Sequence, residues 1–390
     1  MVLKHRLLLV SVTIWVLAVP MVKGQQALNA ADSQRIAHFL DTDKSPDLLR
    51  CSIQPLKPLL DFALRYDAGY IVTCSFTRFE GRESHILIFA RVTPEGGKAL
   101  LLGQYFLLPE ERTNPRNLKQ NFQMSGGFAV GEGKYQIEVM VGDRETHRQS
   151  KKSWSVRVAG SGNRQAGQFA VPPASVLPID VRPWPIKMDT TGKGYRVTVL
   201  LDAAPLNPRS PSLRAWDRAF LLESLSSLLK EVPCASVRLR AFNLDQQHEI
   251  FRQDQFDEAS FAKLEVSLQN LELGTVSARV LQQPQGWFEM LLNYAHEEVI
   301  AADPSDFVVF LGPRTRYLQG IPRARLPGRE TPKPHFYYLE FFPNVRGPHY
   351  PDGMASLTKG LDGTVYELAS PADLVRSVQK MLARVGAPEK

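Results

Sequence analysis

Any chemistry in this chain of 390 residues rests on a short set of side chains. Asp202 closes the apolar run Tyr195-Arg196-Val197-Thr198-Val199-Leu200-Leu201 as a single carboxylate. A carboxylate at a strand end can bind a cation, act as a base or cap the following loop. His296-Glu297-Glu298 opens like the helix of a zinc protease. The place of the second histidine holds Ile300, so the zinc pair is missing and a solvated helix face is expected. Gly131-Glu132-Gly133 has the start of a dinucleotide loop but lacks the third glycine and a following helix, so a hairpin turn is expected. His85, His147, His248, His335 and His349 have no acid or nucleophile at local spacing. Neither a Gly-x-Ser-x-Gly elbow nor a phosphate-binding loop occurs. These residues therefore name no catalytic set and no cofactor. The aromatic run His335–Phe342 has the pattern of a buried strand rather than a ligand platform.

The formal charge is +7, of which Lys4, Arg6 and Lys23 carry three. That mild excess gives no ground for nucleic-acid binding. It is concentrated between Gly312 and Pro334, where Arg314, Arg316, Arg323, Arg325, Arg329 and Lys333 face one acid, Glu330. Tyr317, Leu318 and Ile321 lie among them, a composition common in interfaces and suited to carboxylates. Arg314, Arg316, Tyr317, Arg323, Arg325 and Arg329 are therefore expected to bind a protein partner of acidic character.

Lys4-His5-Arg6, the apolar stretch Leu7–Val19 and the small residue Gly24 read as a signal peptide over residues 1–24. The expected location is secreted or periplasmic, with no transmembrane segment after cleavage. Export permits disulfides, and Cys51 with Cys74 is the expected pair because both fall in one domain. Cys234 opens an apolar run and is read as a small buried residue.

The elements that would position these groups fall into two patterns. Residues 25–54 form a polar leader with one weakly amphipathic stretch, Ser33–Leu40. From 55 to 158 the period is two, over Gly69–Phe76, His85–Val92, Ala99–Leu108, Lys134–Val141 and Ser153–Val158, which predicts an antiparallel β-sandwich. Residues 159–194 are rich in glycine and proline and read as a linker. From 195 to 390 buried strands alternate with amphipathic helices, which predicts a doubly wound, Rossmann-like α/β domain. Its strands are Tyr195–Asp202, Ser236–Phe251 as two, Asp306–Leu311, His335–Phe342 and Thr364–Leu368. Its helices are Ser212–Lys230, Asp257–Leu271, Pro284–Ala302 and one beginning at Ser370-Pro371-Ala372-Asp373 and stopping at Gly386.

The order of these features resembles the von Willebrand factor A family: a strand ending in Asp202, Gly274-Thr275 in a middle loop, the buried strand Phe307–Leu311, then Met354-Ala355-Ser356-Leu357-Thr358-Lys359-Gly360 and the last helix. A β-sandwich joined to such a domain behind a signal peptide is similar to secreted proteins of some soil bacteria. The resemblance implies a metal site of Asp-x-Ser-x-Ser, a threonine and a second aspartate. Asp202 and Thr275 match. Ala204 and Leu206 stand at the serine positions and Gly312 or Pro313 at the aspartate position. Magnesium needs near-octahedral oxygen coordination, so the site is read as vestigial at Asp202 and Thr275, with no metal and no cofactor expected. The expected function is non-catalytic, adhesion-like protein binding. The rival readings are a divalent-metal-dependent adhesion domain and an extracytoplasmic enzyme with a site assembled from distant residues.

Overall fold

The computed structural model describes residues 25–29, 49–79, 83–110, 121–159, 171–179, 186, 188–189, 194–207, 210–274, 278–314, 326, 334–341 and 352–385. The expected signal segment and the weakly amphipathic stretch Ser33–Leu40 lie outside these residues. The chain divides into two compact units that interleave in sequence. One comprises Met1–Leu56, Gly69–Gly127 and Tyr135–Val156; the other comprises Lys57–Ala68, Phe128–Lys134 and Arg157–Lys390. Residues 57–68 and 128–134, read from the sequence as part of the sandwich, thus belong with the C-terminal unit.

Among the described residues nine strands come first: β1 (Gln26–Ala27), β2 (Ser52–Leu60), β3 (Tyr66–Ser75), β4 (Ser84–Pro94), β5 (Leu100–Leu108), β6 (Asn121–Val130), β7 (Gly133–Asp143), β8 (Gln149–Val158) and β9 (Val176–Pro178). They form two sheets, ordered β1-β5-β4-β7-β8 and β2-β3-β6-β9. The pairs β4–β5, β4–β7, β1–β5 and β6–β9 are antiparallel. Alternation does the work expected of it. Ile86, Ile88, Ala90 and Val92 of β4 are buried and stand opposite Asp143, Val141, Val139 and Ile137 of β7. Pro94-Glu95-Gly96-Gly97 closes β4–β5: Gly97 N donates to Pro94 O at 3.1 Å, and Gly96 takes φ +75° in the left-handed region. Cys51 and Cys74 are joined in a disulfide with their Cα atoms 4.5 Å apart.

Two expectations need correction here. Gly131-Glu132-Gly133 is not a hairpin turn, because β6 and β7 belong to different sheets and the glycines carry the chain from one to the other. A Cβ on Gly131 would meet Pro172 O at 1.9 Å, which explains the missing side chain. And the stretch read as linker contains β9, which pairs Val176 with Val130.

The second unit is built on a six-stranded sheet of β10 (Tyr195–Asp202), β11 (Cys234–Asn243), β12 (His248–Gln253), β13 (Phe307–Pro313), β14 (His335–Phe341) and β15 (Thr364–Leu368). Its order is β12-β11-β10-β13-β14-β15, with every pair parallel except β11–β12. The helices are α1 (Ala215–Glu231), α2 (Ser260–Gln269), α3 (Ala278–Gln282), α4 (Gly286–Val299), α5 (Gly353–Gly360) and α6 (Pro371–Val385). Val197, Val199 and Leu201 of β10 pack on one face with Leu221, Leu225 and Leu228 of α1, Leu264 and Leu268 of α2, and Leu374 and Val378 of α6. Leu200 points the other way, with Phe310 and Tyr338, toward Leu291 and Ala295 of α4 and Leu357 of α5. Both faces of the sheet are therefore covered, which is why the central strands β10 and β13 are mostly apolar. Each buried leucine contributes roughly 1.5–3 kcal/mol of transfer free energy. Among the described residues no helix is long and apolar enough to cross a membrane.

Candidate functional site

Parallel strands present their carboxyl ends on one edge, where an α/β sheet takes ligands. Asp202 is the last residue of β10 on that edge. The chain after it is fastened down by the end of β11. Ala203 N donates to Phe242 O at 2.7 Å, and Asn243 Nδ2 donates to Ala203 O at 2.9 Å. Asp202 is left 1% exposed. It accepts a hydrogen bond from the backbone of Leu244, while its Oδ1 has no hydrogen-bond partner among the described residues. Burial pushes its carboxyl well above the usual range; Asp245 and Asp352 push the same way, and the Leu244 N–H opposes them.

Gly312, near the end of β13, packs directly on Asp202. A Cβ at Gly312 would lie 2.8 Å from Asp202 Cβ and 3.1 Å from Asp202 O. The backbone of β13 thus lies against Asp202, whose Cβ and carbonyl oxygen leave no room for a side chain at Gly312. Thr275 lies outside the described residues, as do Arg316, Tyr317, Arg323, Arg325 and Arg329.

Arg314 is described, and it is anchored. Its Nε donates to Glu340 Oε1, and its Nη2 lies 3.3 Å from Glu367 Oε1. Glu340 is 2% exposed; burial raises its carboxyl, and the Arg314 hydrogen bond pulls it back. Beside it Tyr338 donates to Pro313 O at 3.0 Å. Asp352 caps α5, its Oδ1 accepting from Ala355 N at 2.7 Å. Tyr338, Glu340 and Asp352 were not singled out from the sequence. Asp352 could have been, since an aspartate directly before Gly-Met-Ala-Ser has the form of an N-cap.

The other sequence candidates go to separate places. Glu298 does not lie on a solvated helix face: it is 1% exposed and accepts from Thr198 Oγ1 at 3.0 Å, with Arg238 Nη2 at 3.4 Å. Ser305 completes this buried set, 2.7 Å from Thr198 Oγ1. Glu297 instead pairs with Arg240. His85 pairs with Glu145 at 2.6 Å in the first unit, and backbone and ring hydrogen bonds from His85 hold the Glu145 carboxyl down at about 2 against its desolvation. At the opposite, amino-terminal end of the parallel strands lies a cleft of about 880 Å³, lined in part by Arg196, Asp306, His335, Thr364 and Arg384. Arg196 is neutralised there by Asp303 and Asp306.

The state of Asp202 has a measurable consequence. Its native carboxyl keeps a proton over a pH range in which the unfolded side chain, at about 3.9, has lost it. The native state then binds more protons than the unfolded one, so this group's contribution is full below the unfolded value and is lost as pH rises through the native one. Asp202→Asn, which cannot ionise, is expected to melt several degrees above the wild type at pH 9 and within about a degree of it at pH 4. Equal pH profiles of Tm for the two proteins would refute this.

No protein-family model matches the chain, and a search of curated proteins finds no match. Among solved structures, the ArnB paralog VWA2 from Sulfolobus acidocaldarius is similar over 64% of this chain and 51% of its own, at 11% identity and a TM-score of 0.26. A β-glucuronidase from Bacteroides uniformis is similar over 80% of this chain and 38% of its own, at 10% identity and a TM-score of 0.20. A family 123 glycoside hydrolase from Clostridium perfringens matches 80% of this chain and 66% of its own, at 7% identity and a TM-score of 0.22. The chain thus spans about half of the first of these proteins, and likenesses at such TM-scores assign it neither their folds nor their activities.

Proposed function

We propose that the second unit is a doubly wound domain of von Willebrand factor A type that works as a non-catalytic protein-binding module outside the cytoplasm, without a divalent cation. The observation that carries this reading is Asp202: buried, with its carboxyl raised, and pressed against Gly312. A carboxyl so enclosed is out of a substrate's reach, and Ala204 and Leu206 bring no oxygen side chain beside it, so it lacks the ligand set that a hard cation needs. Recognition on this edge then falls to the surface around it. The basic, tyrosine-containing sequence that begins at Arg314 fits an acidic partner.

The test uses the full chain, an envelope extract from its own source and the captured partner. Capture is expected to be the same in EDTA as in magnesium or calcium, and neither ion should raise Tm. Reversing charge at Arg316 and Arg323 should slow association and flatten its salt dependence. Binding that requires a divalent ion, turnover of the captured molecule, or an unchanged rate and salt response in those variants would overturn the reading.

A further inference from the structure

The loop joining β2 to β3 carries a cluster of charges that neither the sheet edge nor the disulfide explains. Within the second unit, residues 57–68 pack on α1. Phe62 lies edge-on to Phe220 of α1 at 4.6 Å and to Phe341, the last residue of β14, at 5.2 Å. Ser227 Oγ of α1 donates to Phe62 O at 2.6 Å. The loop is tightly turned: Leu64 N donates to Asp61 O at 3.0 Å, Asp61 N to Arg65 O at 2.8 Å, and Leu64 takes φ +59°. That left-handed conformation in a leucine costs on the order of 1 kcal/mol or more, so surrounding contacts must hold it.

The polar part of that hold is one guanidinium among three carboxyl groups. Arg65 is 6% exposed. Its Nε and Nη2 donate to Asp61 Oδ2 at 3.0 and 2.9 Å, and Nη2 reaches Glu223 Oε1 of α1 at 3.3 Å. Asp67 lies beside the Asp61 carboxylate, and its Oδ1 is buried with no hydrogen-bond partner among the described residues. A buried carboxylate oxygen without a donor is costly, and a proton on Asp67 removes that cost. Fully ionised, the cluster would hold three negative charges against one positive charge in a half-buried space.

We propose that this loop is a proton-operated latch: protons held on Asp67 and Glu223, beside the Arg65–Asp61 pair, keep residues 57–68 closed on α1, and their loss releases the loop and bares Phe220 and Phe341. The groups that act on the cluster come from the elements packed there. Asp67 faces Asp61 and Arg65; Glu223 faces Asp61, Arg65 and Asp67; Tyr66, between them in sequence, faces Glu132. Burial is the first cause in each acid and the neighbouring carboxylates add to it. Asp67 is pushed up to about 7 and Glu223 to about 8, with Arg65 opposing both. Both are raised acids, so closure is favoured below those values and weakens as pH rises through them.

Hydrogen exchange of the full chain tests the latch, followed in the peptide covering residues 57–68 and corrected for the intrinsic pH dependence of exchange. Protection there is expected to fall by about tenfold or more between pH 6 and pH 9, while peptides from β10 and β13 keep theirs. Asp67→Asn with Glu223→Gln should keep the loop protected at both pH values, and Asp67→Asn alone should reduce the fall. The idea is overturned if wild-type protection is independent of pH. It is equally overturned if the double variant loses protection on the wild-type profile or is unprotected at pH 6 while its β10 and β13 peptides remain protected.

Discussion

The Cys51→Ala/Cys74→Ala protein is expected to be less stable than the wild type by roughly 3 kcal/mol. The bridge spans a sequence separation of 23 residues, and in the chain-entropy account a loop of that size gives this figure through the unfolded state. The native surroundings leave little scope for compensation. Cys74 is 1% exposed and Cys51 7%, so the lost sulfurs also leave packing defects. Cys51 N donates to Ser150 Oγ at 2.9 Å and Leu49 N to Gln149 O at 3.3 Å; with the bridge gone, these bonds must hold the start of β2 unaided. Alanine is the right replacement because serine would bury two new hydroxyls. Urea unfolding followed through Trp154, in the same unit, measures the effect. A loss below about 1 kcal/mol would show that the unfolded chain is already constrained there.

Arg314→Ala is expected to cost about 2–3 kcal/mol. Removing one partner of a buried pair leaves the other charge without compensation, and Glu340 is the deeper partner, its side chain 2% exposed against 19% for Arg314. The cost falls at the low end because Arg314 touches solvent and because Glu340 can take up a proton. That escape fixes the pH dependence. Glu340 is already raised by burial, and without the arginine it rises further. The native variant then retains a proton that the unfolded chain has released, so its deficit should be larger at pH 8 than at pH 5. Glu367, 63% exposed, adds little, and Glu367→Ala should be nearly neutral. Arg314→Met combined with Glu340→Leu should recover much of the loss. If the two single variants and the double variant behave additively, the pair has no coupling and the account fails.

What could be read from the sequence follows from how strongly each element depends on its own residues. Tyr195–Leu201 and Phe307–Leu311 are apolar on both faces because helices cover both sides, and a continuous apolar run is easy to see. The last helix carries Ser370, Pro371 and Asp373 at its start, with Asp373 Oδ2 accepting from Ser370 N at 2.8 Å. Other strands were hidden. β2 contains Pro55 and Pro58, and β6 contains Gly126-Gly127, residues that normally argue against a strand. β9 lies within proline-rich sequence because three residues paired to β6 leave no periodicity. His296 and Glu297, the polar neighbours of Glu298, suggest a solvated face. Leu291, Ala295 and Glu298 are spaced i, i+4, i+7, which puts Glu298 on the inner face, and only the distant Thr198 and Arg238 make that tolerable. The loop charges could not be found at all, because Arg65 and Glu223 meet only through the tertiary fold.

The strand order also dictates a history for the chain. β10 is made first of its sheet, yet it ends in the middle, with Val197 paired to Val237 on one side and to Phe307 on the other. As the polypeptide is synthesised, β11 and β12 can pair early. The second edge of β10 must wait until β13 has emerged, with the whole of α1 to α4 in between. Through that interval Val197, Val199 and Leu201 border a row of unpaired amide and carbonyl groups, the kind of edge that another strand readily joins. Long-range parallel pairing is slow because the loop entropy is lost before the contacts form. A strand that is central in the finished sheet is therefore open to mispairing while the chain is incomplete.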